Sequence, residues 1–215
     1  MRLARGTERE ILSVGALLAL AASVARRRPR VATVLPAAAL AALWGLLLHF
    51  FRDPERTPPE GDGLIIAPAD GRVVEIERVH EPLFVRGPAL KIAIFMSLWD
   101  VHVNRAPLEG EVVLVEHVPG RFVQAFRPEA AIVNEHNLIG LRTPRGRVLV
   151  KQISGIMARR IVCWVSPGDG VNAGQRLGII KLGSRVEVYL PPDIVPAVHV
   201  NERVWAGSSV LGHSP

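Results

Sequence analysis

The sequence predicts a mostly β domain of the α+β class, an antiparallel barrel-sandwich of hammerhead-like form, preceded by an amino-terminal hydrophobic helical membrane segment. Three observations predict it. Two long apolar runs lie within residues 1–56, and none as long follows them. From residue 64 onward, short Val- and Ile-rich runs alternate with Gly, Pro and Asp turns. No long 3.6-residue periodicity appears between residues 60 and 215.

The first apolar run is Ile11 to Ala25, 15 residues, and the second is Val31 to Phe51, 21 residues. About 20 helical residues cross a ~30 Å hydrocarbon core, so the second is long enough to span. The first is short for a span and suits a re-entrant or interfacial helix. Arg26, Arg27, Arg28, Pro29 and Arg30 separate them. A cleaved signal peptide would explain Arg2, Arg5 and Arg9 before a short apolar stretch. The second, longer run and the arginines between the runs argue against it. Arginines flank both ends of the first run, so the positive-inside rule gives no clean orientation.

Arg52 to Pro59 is charged and proline-rich, a linker that divides residues 1–56 from a β-rich domain over 57–215. Strands are expected over 72–79, 91–98, 111–118, 147–154, 159–165, 177–182 and 185–190. Turns punctuate them at Pro68-Ala69-Asp70-Gly71, Arg145-Gly146 and Pro167-Gly168-Asp169-Gly170.

Composition narrows the function classes. The 215 residues are 49% hydrophobic, and mean hydropathy is +0.25, which excludes a disordered chain. One cysteine, Cys163, excludes a disulfide scaffold and a cysteine zinc site. Neither an HExxH nor a Walker A pattern is present. Residues 1–56 carry nine basic and four acidic side chains, and the remaining residues carry 17 and 16. The basic excess therefore sits beside the apolar runs, where it suits anionic lipid headgroups. The body lacks the electrostatic footprint of a nucleic-acid binder.

Three places could carry chemistry. Val165 to Gly178 has the Gly-Asp-x-Val-x-x-Gly-Gln pattern of biotinyl and lipoyl hammerhead turns. Carrier domains present a lysine on an exposed hairpin tip, whereas Lys181 lies between apolar residues. Gly183-Ser184 is a candidate for self-cleavage. Glycine leaves a peptide carbonyl uncovered, and the serine Oγ can turn back on it in an N-to-O acyl shift. β-Elimination then splits the chain, and hydrolysis of the resulting dehydroalanine leaves a pyruvoyl group. Gly-Ser is usually only a turn, and Gly207-Ser208 is another. Asp70 and His102 are the third place: a carboxylate in a tight turn and an imidazole between apolar neighbours. With Ser184 they are the parts of a proton-relay triad. Their plain structural alternatives are a turn former and a core histidine.

Several stretches occur together in family order. They are Phe50-Phe51-Arg52-Asp53-Pro54-Glu55-Arg56, Ala67-Pro68-Ala69-Asp70-Gly71, Asp100-Val101-His102-Val103-Asn104-Arg105-Ala106-Pro107 with Gly110, and Asn134-Glu135. Gln152-Ile153-Ser154-Gly155, Ala158-Arg159-Arg160-Ile161-Val162, and Gly183-Ser184-Arg185 with Tyr189-Leu190-Pro191 follow. The chain resembles the phosphatidylserine decarboxylase proenzymes of the short bacterial and archaeal type over residues 50–191.

The resemblance implies a catalytic domain cleaved between Gly183 and Ser184 into a β chain 1–183 and an α chain 184–215. The two stay together as a heterodimer, and family members are often dimers of it. Ser184 becomes the pyruvoyl group, with no pyridoxal phosphate and no metal. Asp70 and His102 complete the processing triad. The implied reaction joins the pyruvoyl ketone to the serine amine of phosphatidylserine as a Schiff base. Carbon dioxide leaves, His102 reprotonates the carbon, and phosphatidylethanolamine is released. The implied location is the cell membrane, with the catalytic domain on the cytoplasmic face.

Two departures bear on this. Longer members have Gly-Ser-Thr where this chain has Gly-Ser-Arg, as the short type does. Longer members also have a second histidine where this chain has Arg105. Proton transfer then falls to His102 alone or to another group such as His136. Competing readings are a non-enzymatic membrane-anchored hammerhead domain and a soluble pyruvoyl enzyme for an amino acid. The apolar amino-terminal region speaks against the latter. Archaetidylserine has the same headgroup chemistry, so it is an equal substrate at this level.

Overall fold

The structure is a computed structural model describing residues 2–124, 129–155, 160–181 and 184–215. The chain forms two compact units, residues 1–54 and 55–215.

The first unit is a pair of helices, α1 (Glu8–Arg27) and α2 (Val31–Phe50), each of 20 residues. α1 is longer than its apolar run because charged residues join both ends. Glu8 and Glu10 lie in its first turn and Arg26 and Arg27 in its last, matching the helix dipole. α2 is apolar throughout, ends at Phe50 and has a mean hydropathy of 2.1. The two helices pack together, and Trp44 Nε1 donates a 3.1 Å hydrogen bond to the Ile11 carbonyl. Gly15 makes room for that indole, since a Cβ there would stand 3.1 Å from Trp44 Nε1. Leu3 and Arg52 form an antiparallel bridge, so the two ends of the pair meet.

The second unit is mostly β. Its first half holds β1 (Leu64–Ile66), β2 (Gly71–Glu81), β3 (Gly87–Met96), β4 (Val103–Arg105) and β5 (Gly110–Val118). The four-residue α3 (Ala130–Val133) precedes β6 (His136–Thr143), β7 (Gly146–Ser154), β8 (Arg160–Cys163) and β9 (Gly170–Val171). The carboxy-terminal part holds β10 (Arg176–Lys181), β11 (Ser184–Leu190), β12 (Val195–Pro196), β13 (Arg203–Val204) and β14 (Val210–His213). Their strand ladders are antiparallel. A curled eight-stranded sheet runs in the order β13-β2-β3-β11-β7-β6-β5-β9. Smaller sheets are β4-β10-β8 and β1-β14-β12.

The expected strands at 72–79, 91–98, 111–118, 147–154 and 185–190 correspond to β2, β3, β5, β7 and β11. Those at 159–165 and 177–182 correspond to β8 and β10, with Arg159 and Leu182 outside the described residues. β6 was not expected. Its inward positions include Asn137, and Gly140 and His136 further dilute the apolar pattern that marks a strand. Residues 165–178 form two turns around β9. Asp169 accepts from the Ser166 N–H at 2.8 Å, and Gly168 and Gly174 take positive φ.

The core lies on one face of the large sheet. Val186, Val188 and Leu190 of β11 pack there with Ile92 and Ile94 of β3 and Val148 and Val150 of β7, all buried. Each such side chain contributes about 1.5–3 kcal/mol by leaving water. The opposite face of β11 is buried too, but charged. Arg185 Nε donates to Glu187 Oε1 at 2.8 Å, and the guanidinium also pairs with Glu75. Lys91 Nζ donates to Glu75 at 2.6 Å, and Tyr189 Oη donates to Glu187 Oε2 at 2.7 Å. Burial, then the Glu187 charge, push the Tyr189 phenol pKa upward.

β2 begins at Gly71, whose φ is +147°. A Cβ there would stand 2.1 Å from the Phe95 carbonyl oxygen of β3. Both the backbone angle and the strand contact therefore require glycine. Gly71→Ala is expected to destabilise the protein by about 3 kcal/mol or more. Thermal unfolding of the full chain checks this. A melting temperature equal to the parent's contradicts the contact.

Candidate active site

Three segments hold the candidate residues. The first is the turn after β1. The Ala67 N–H donates to Ser209 O at 2.8 Å, and Ala67 O accepts from Gly207 N–H at 2.9 Å. Pro68 O accepts from Arg105 N–H at 2.9 Å, tying the turn to β4. These bonds hold Asp70, which is 4% exposed. Its Oδ1 accepts from the Ala206 N–H at 2.8 Å, and its Oδ2 accepts from Arg56 Nη2 at 3.0 Å. The Val101 N–H is a further donor to it. Burial raises the Asp70 pKa above the ordinary value, and Arg56 and the two amides offset part of that rise.

The second segment is 100–102, leading into β4. His102 is fully buried. Its Nδ1–H donates to the Asp100 carbonyl at 3.0 Å, which leaves the lone pair of the neutral ring on Nε2. Its own carbonyl accepts from the Ile180 N–H of β10 at 3.3 Å. Asp100 holds the loop: its Oδ2 accepts from Ser97 N–H at 2.8 Å and Ser97 Oγ at 2.7 Å, and Arg203 pairs with its Oδ1. Asp70 and His102 are thus linked through Val101, whose amide meets the carboxylate.

The third segment is the first residue of β11. Ser184 is fully buried, opposite Met96 of β3 and Ser154 of β7. It shares the core face with Val186 and Val188 because side chains alternate along a strand. Its Oγ donates to Met96 Sδ at 3.2 Å, a weak acceptor. Asn104 Nδ2 reaches the same sulfur at 3.7 Å, so β4 and β11 meet on Met96. Gly183, the other half of the candidate cleavage site, lies outside the described residues, as do Ala158 and Arg159.

Residues without an assigned role in the sequence reading surround these three. Gln152 Nε2 donates to Asn104 Oδ1 at 2.7 Å, and Asn137 Nδ2 donates to Gln152 Oε1 at 3.1 Å. All three amides are essentially buried. Their signal in the sequence is a polar residue at an inward strand position, which is costly unless bonded. Arg56 was read as linker, and only the fold brings it to Asp70.

Two other residues that the sequence reading weighed have different surroundings. Arg105 is buried and donates from Nη1 to the Gly174 carbonyl at 2.9 Å, bracing the 174 turn. His136 is in register with Ile153, which is in register with Arg185. Cross-strand partners share a face, so His136 lies on the face opposite the Ser184 side chain. Its Nδ1–H donates to Asn134 O at 2.7 Å, and burial lowers its pKa. His102 is tied to β10, through the Ile180 N–H.

The donor set fits a prosthetic group formed from Ser184 itself. The Ser184 hydroxyl is buried and held only by the weak acceptor Met96 Sδ, which leaves it available for that conversion.

The chain also resembles known proteins over most of its length. A family model described as phosphatidylserine decarboxylase matches residues 44–212. A protein of Symbiobacterium thermophilum named phosphatidylserine decarboxylase proenzyme is 47% identical over 203 residues, covering 94% of this chain and 92% of that protein. Proteins with the same name in Carboxydothermus hydrogenoformans and Mycolicibacterium vanbaalenii are 48% and 47% identical over 171 and 207 residues. Those matches cover 79% and 94% of this chain and 80% and 86% of the relatives. The extent of the match, across both the Asp70–His102 segments and the strand of Ser184, means that the chain belongs to the phosphatidylserine decarboxylase family.

Proposed function

We propose that this chain cleaves itself at Gly183–Ser184, converts Ser184 to a pyruvoyl group, and decarboxylates phosphatidylserine to phosphatidylethanolamine and carbon dioxide. The observation that carries the reading is the buried Ser184, linked through Met96 and β10 to the His102 segment, in a chain of this family.

The geometry supports the following roles. With Nδ1–H held by Asp100 O, His102 Nε2 is the base for the Ser184 hydroxyl. Asp70 is a positioning residue: its carboxylate holds the Val101 amide and favours positive charge on the neighbouring imidazole. Met96 holds the hydroxyl weakly, so little is lost when Oγ turns to attack. Once formed, the pyruvoyl group supplies carbonyl electrophiles that bind the substrate amine and accept the electrons released with carbon dioxide. His102 then returns a proton to the substrate carbon. The α chain 184–215 stays in place because β11 is hydrogen-bonded on both edges, to β3 and β7. The domain is of the barrel-sandwich hammerhead type, and no metal takes part.

The lipid substrate gives residues 1–54 a purpose. α2 is long and apolar enough to cross a membrane, and its apolar surface is exposed within the chain. A membrane-held enzyme on the cytoplasmic face meets its substrate in two dimensions.

Intact mass under denaturing conditions tests the central claim. The 23.4 kDa chain is expected to be replaced by two fragments, with 184–215 blocked at its amino terminus and reducible by borohydride. Ser184→Ala is expected to stay uncut. An uncut, folded parent chain overturns the reading.

Arg56→Gln removes the cation beside Asp70, so the Asp70 pKa rises further. The ionised carboxylate is the working form, and protonation disables it. The acid limb of the self-cleavage rate is therefore expected to move to higher pH. An unmoved limb separates Asp70 from the reaction. Deleting residues 1–51 is expected to lower activity on phosphatidylserine vesicles at least about tenfold more than on detergent-dispersed lipid. Equal losses on both count against the anchoring role.

A further inference from the structure

We infer that Ser154 is a further residue of the self-cleavage machinery: its hydroxyl donates a hydrogen bond to Ser184 Oγ as that oxygen leaves in the β-elimination step. This rests on the self-cleavage reading above.

Four observations place Ser154 for the task. It lies directly opposite Ser184 in the β7–β11 ladder, so the two side chains share the core face. Both residues are fully buried. The pair is also of the close kind. The Ser154 N–H donates to Glu135 O at 2.9 Å, and the Ser154 carbonyl accepts from Asn134 Nδ2 at 2.7 Å. Its backbone polar groups therefore point toward β6 and away from β11. That makes Ser184 and Ser154 a non-hydrogen-bonded antiparallel pair, in which Cα atoms stand only ~4.5 Å apart.

The fourth observation is what Ser154 does not do. Its Oγ is buried and has no hydrogen-bond partner among the described residues. A buried hydroxyl is normally satisfied. Here it stands beside Ser184 Oγ, an oxygen that must change charge. Ser184 Oγ is bonded to Met96 Sδ instead. A donor idle in the ground state and bonded in the transition state stabilises only the latter, which is the condition for acceleration.

The chemistry selects the step. During the acyl shift Ser184 Oγ is the nucleophile, and a hydrogen bond to it would weaken its attack. After the shift Oγ is the alkyl oxygen of an ester between Gly183 and Ser184, and the Ser184 nitrogen is a free amine. In the elimination a base takes the Ser184 α-proton. The C–H electrons form the Cα–Cβ double bond, and the Cβ–Oγ bond breaks. The electron pair goes to Oγ, which departs as part of the Gly183 carboxylate. A donor at Oγ stabilises that charge. Water then replaces the nitrogen, and ammonia leaves. Ser154 thus acts on the second step.

The test is the Ser154→Ala precursor, followed by mass spectrometry from synthesis to complete cleavage, with and without hydroxylamine. Hydroxylamine cuts the ester and releases fragment 184–215 with a serine amino terminus; the eliminated product instead carries the pyruvoyl group. Ser154→Ala is expected to yield the pyruvoyl fragment about 10- to 100-fold more slowly. It is also expected to accumulate ester, seen as more serine-terminated fragment with hydroxylamine. Ser154→Thr, which keeps the hydroxyl, is expected to restore part of the rate. Parent-like cleavage by Ser154→Ala overturns the inference. Slow cleavage without extra ester, or with no rescue by threonine, also overturns it, because a folding defect has that signature. If the parent itself is uncut, the self-cleavage reading falls and this inference with it. Cleavage of the parent with an unaffected variant removes only the role of Ser154.

Discussion

The site depends on the two-sided pairing of β11. This strand lies between β3 and β7, in continuous register with each. Its inward residues Val186, Val188 and Leu190 join the core, so the hydrophobic effect holds one face. On its other face Arg185 is clamped between Glu187 and Glu75. A strand fixed by two ladders and two faces can lose its covalent link to the preceding residue without losing its place. The same pairing aligns Ser184 with Met96 and Ser154.

The charged face is costly to bury and so must be fully bonded. Glu187 is 1% exposed and accepts from both Arg185 and Tyr189. Lys91 completes the charge balance at Glu75, and its pKa is raised by that carboxylate despite burial. Removing one member of such a network leaves an unpaired buried charge. The core face near Ser184 follows a milder version of the rule. Asn137, Gln152, Asn104 and Met96 form a chain of uncharged contacts across β6, β7, β4 and β3. The buried hydroxyl of Ser154 is outside that chain, which is why its position beside Ser184 is informative.

The protonation logic is also a product of placement. The Asp100 carbonyl selects the His102 tautomer, and its own carboxylate is occupied by Ser97 and Arg203. Asp70 accepts from the adjacent Val101 amide. A carboxylate buried this deeply is driven toward its neutral form. Arg56 and the peptide N–H groups work against that drive.

The sequence by itself determined what depends on local pattern. The apolar runs of α1 and α2, the β character of residues 64 onward, the turn at Gly71 and the candidacy of Asp70, His102 and Ser184 are all read from neighbours along the chain. These signals are short-range: periodicity, turn chemistry and motif order. Tertiary structure alone decided what depends on register between distant strands. It placed Arg56 on Asp70, Arg105 on the 174 turn and His136 on the far face of the sheet. It also revealed β6, whose polar inward residue reads as loop until its partner Gln152 is known. Strand register has a period of two residues, so one step would exchange the faces of Ser154 and Ile153. No local pattern carries that information, because it is set by the packing of the whole core against both neighbours of β11.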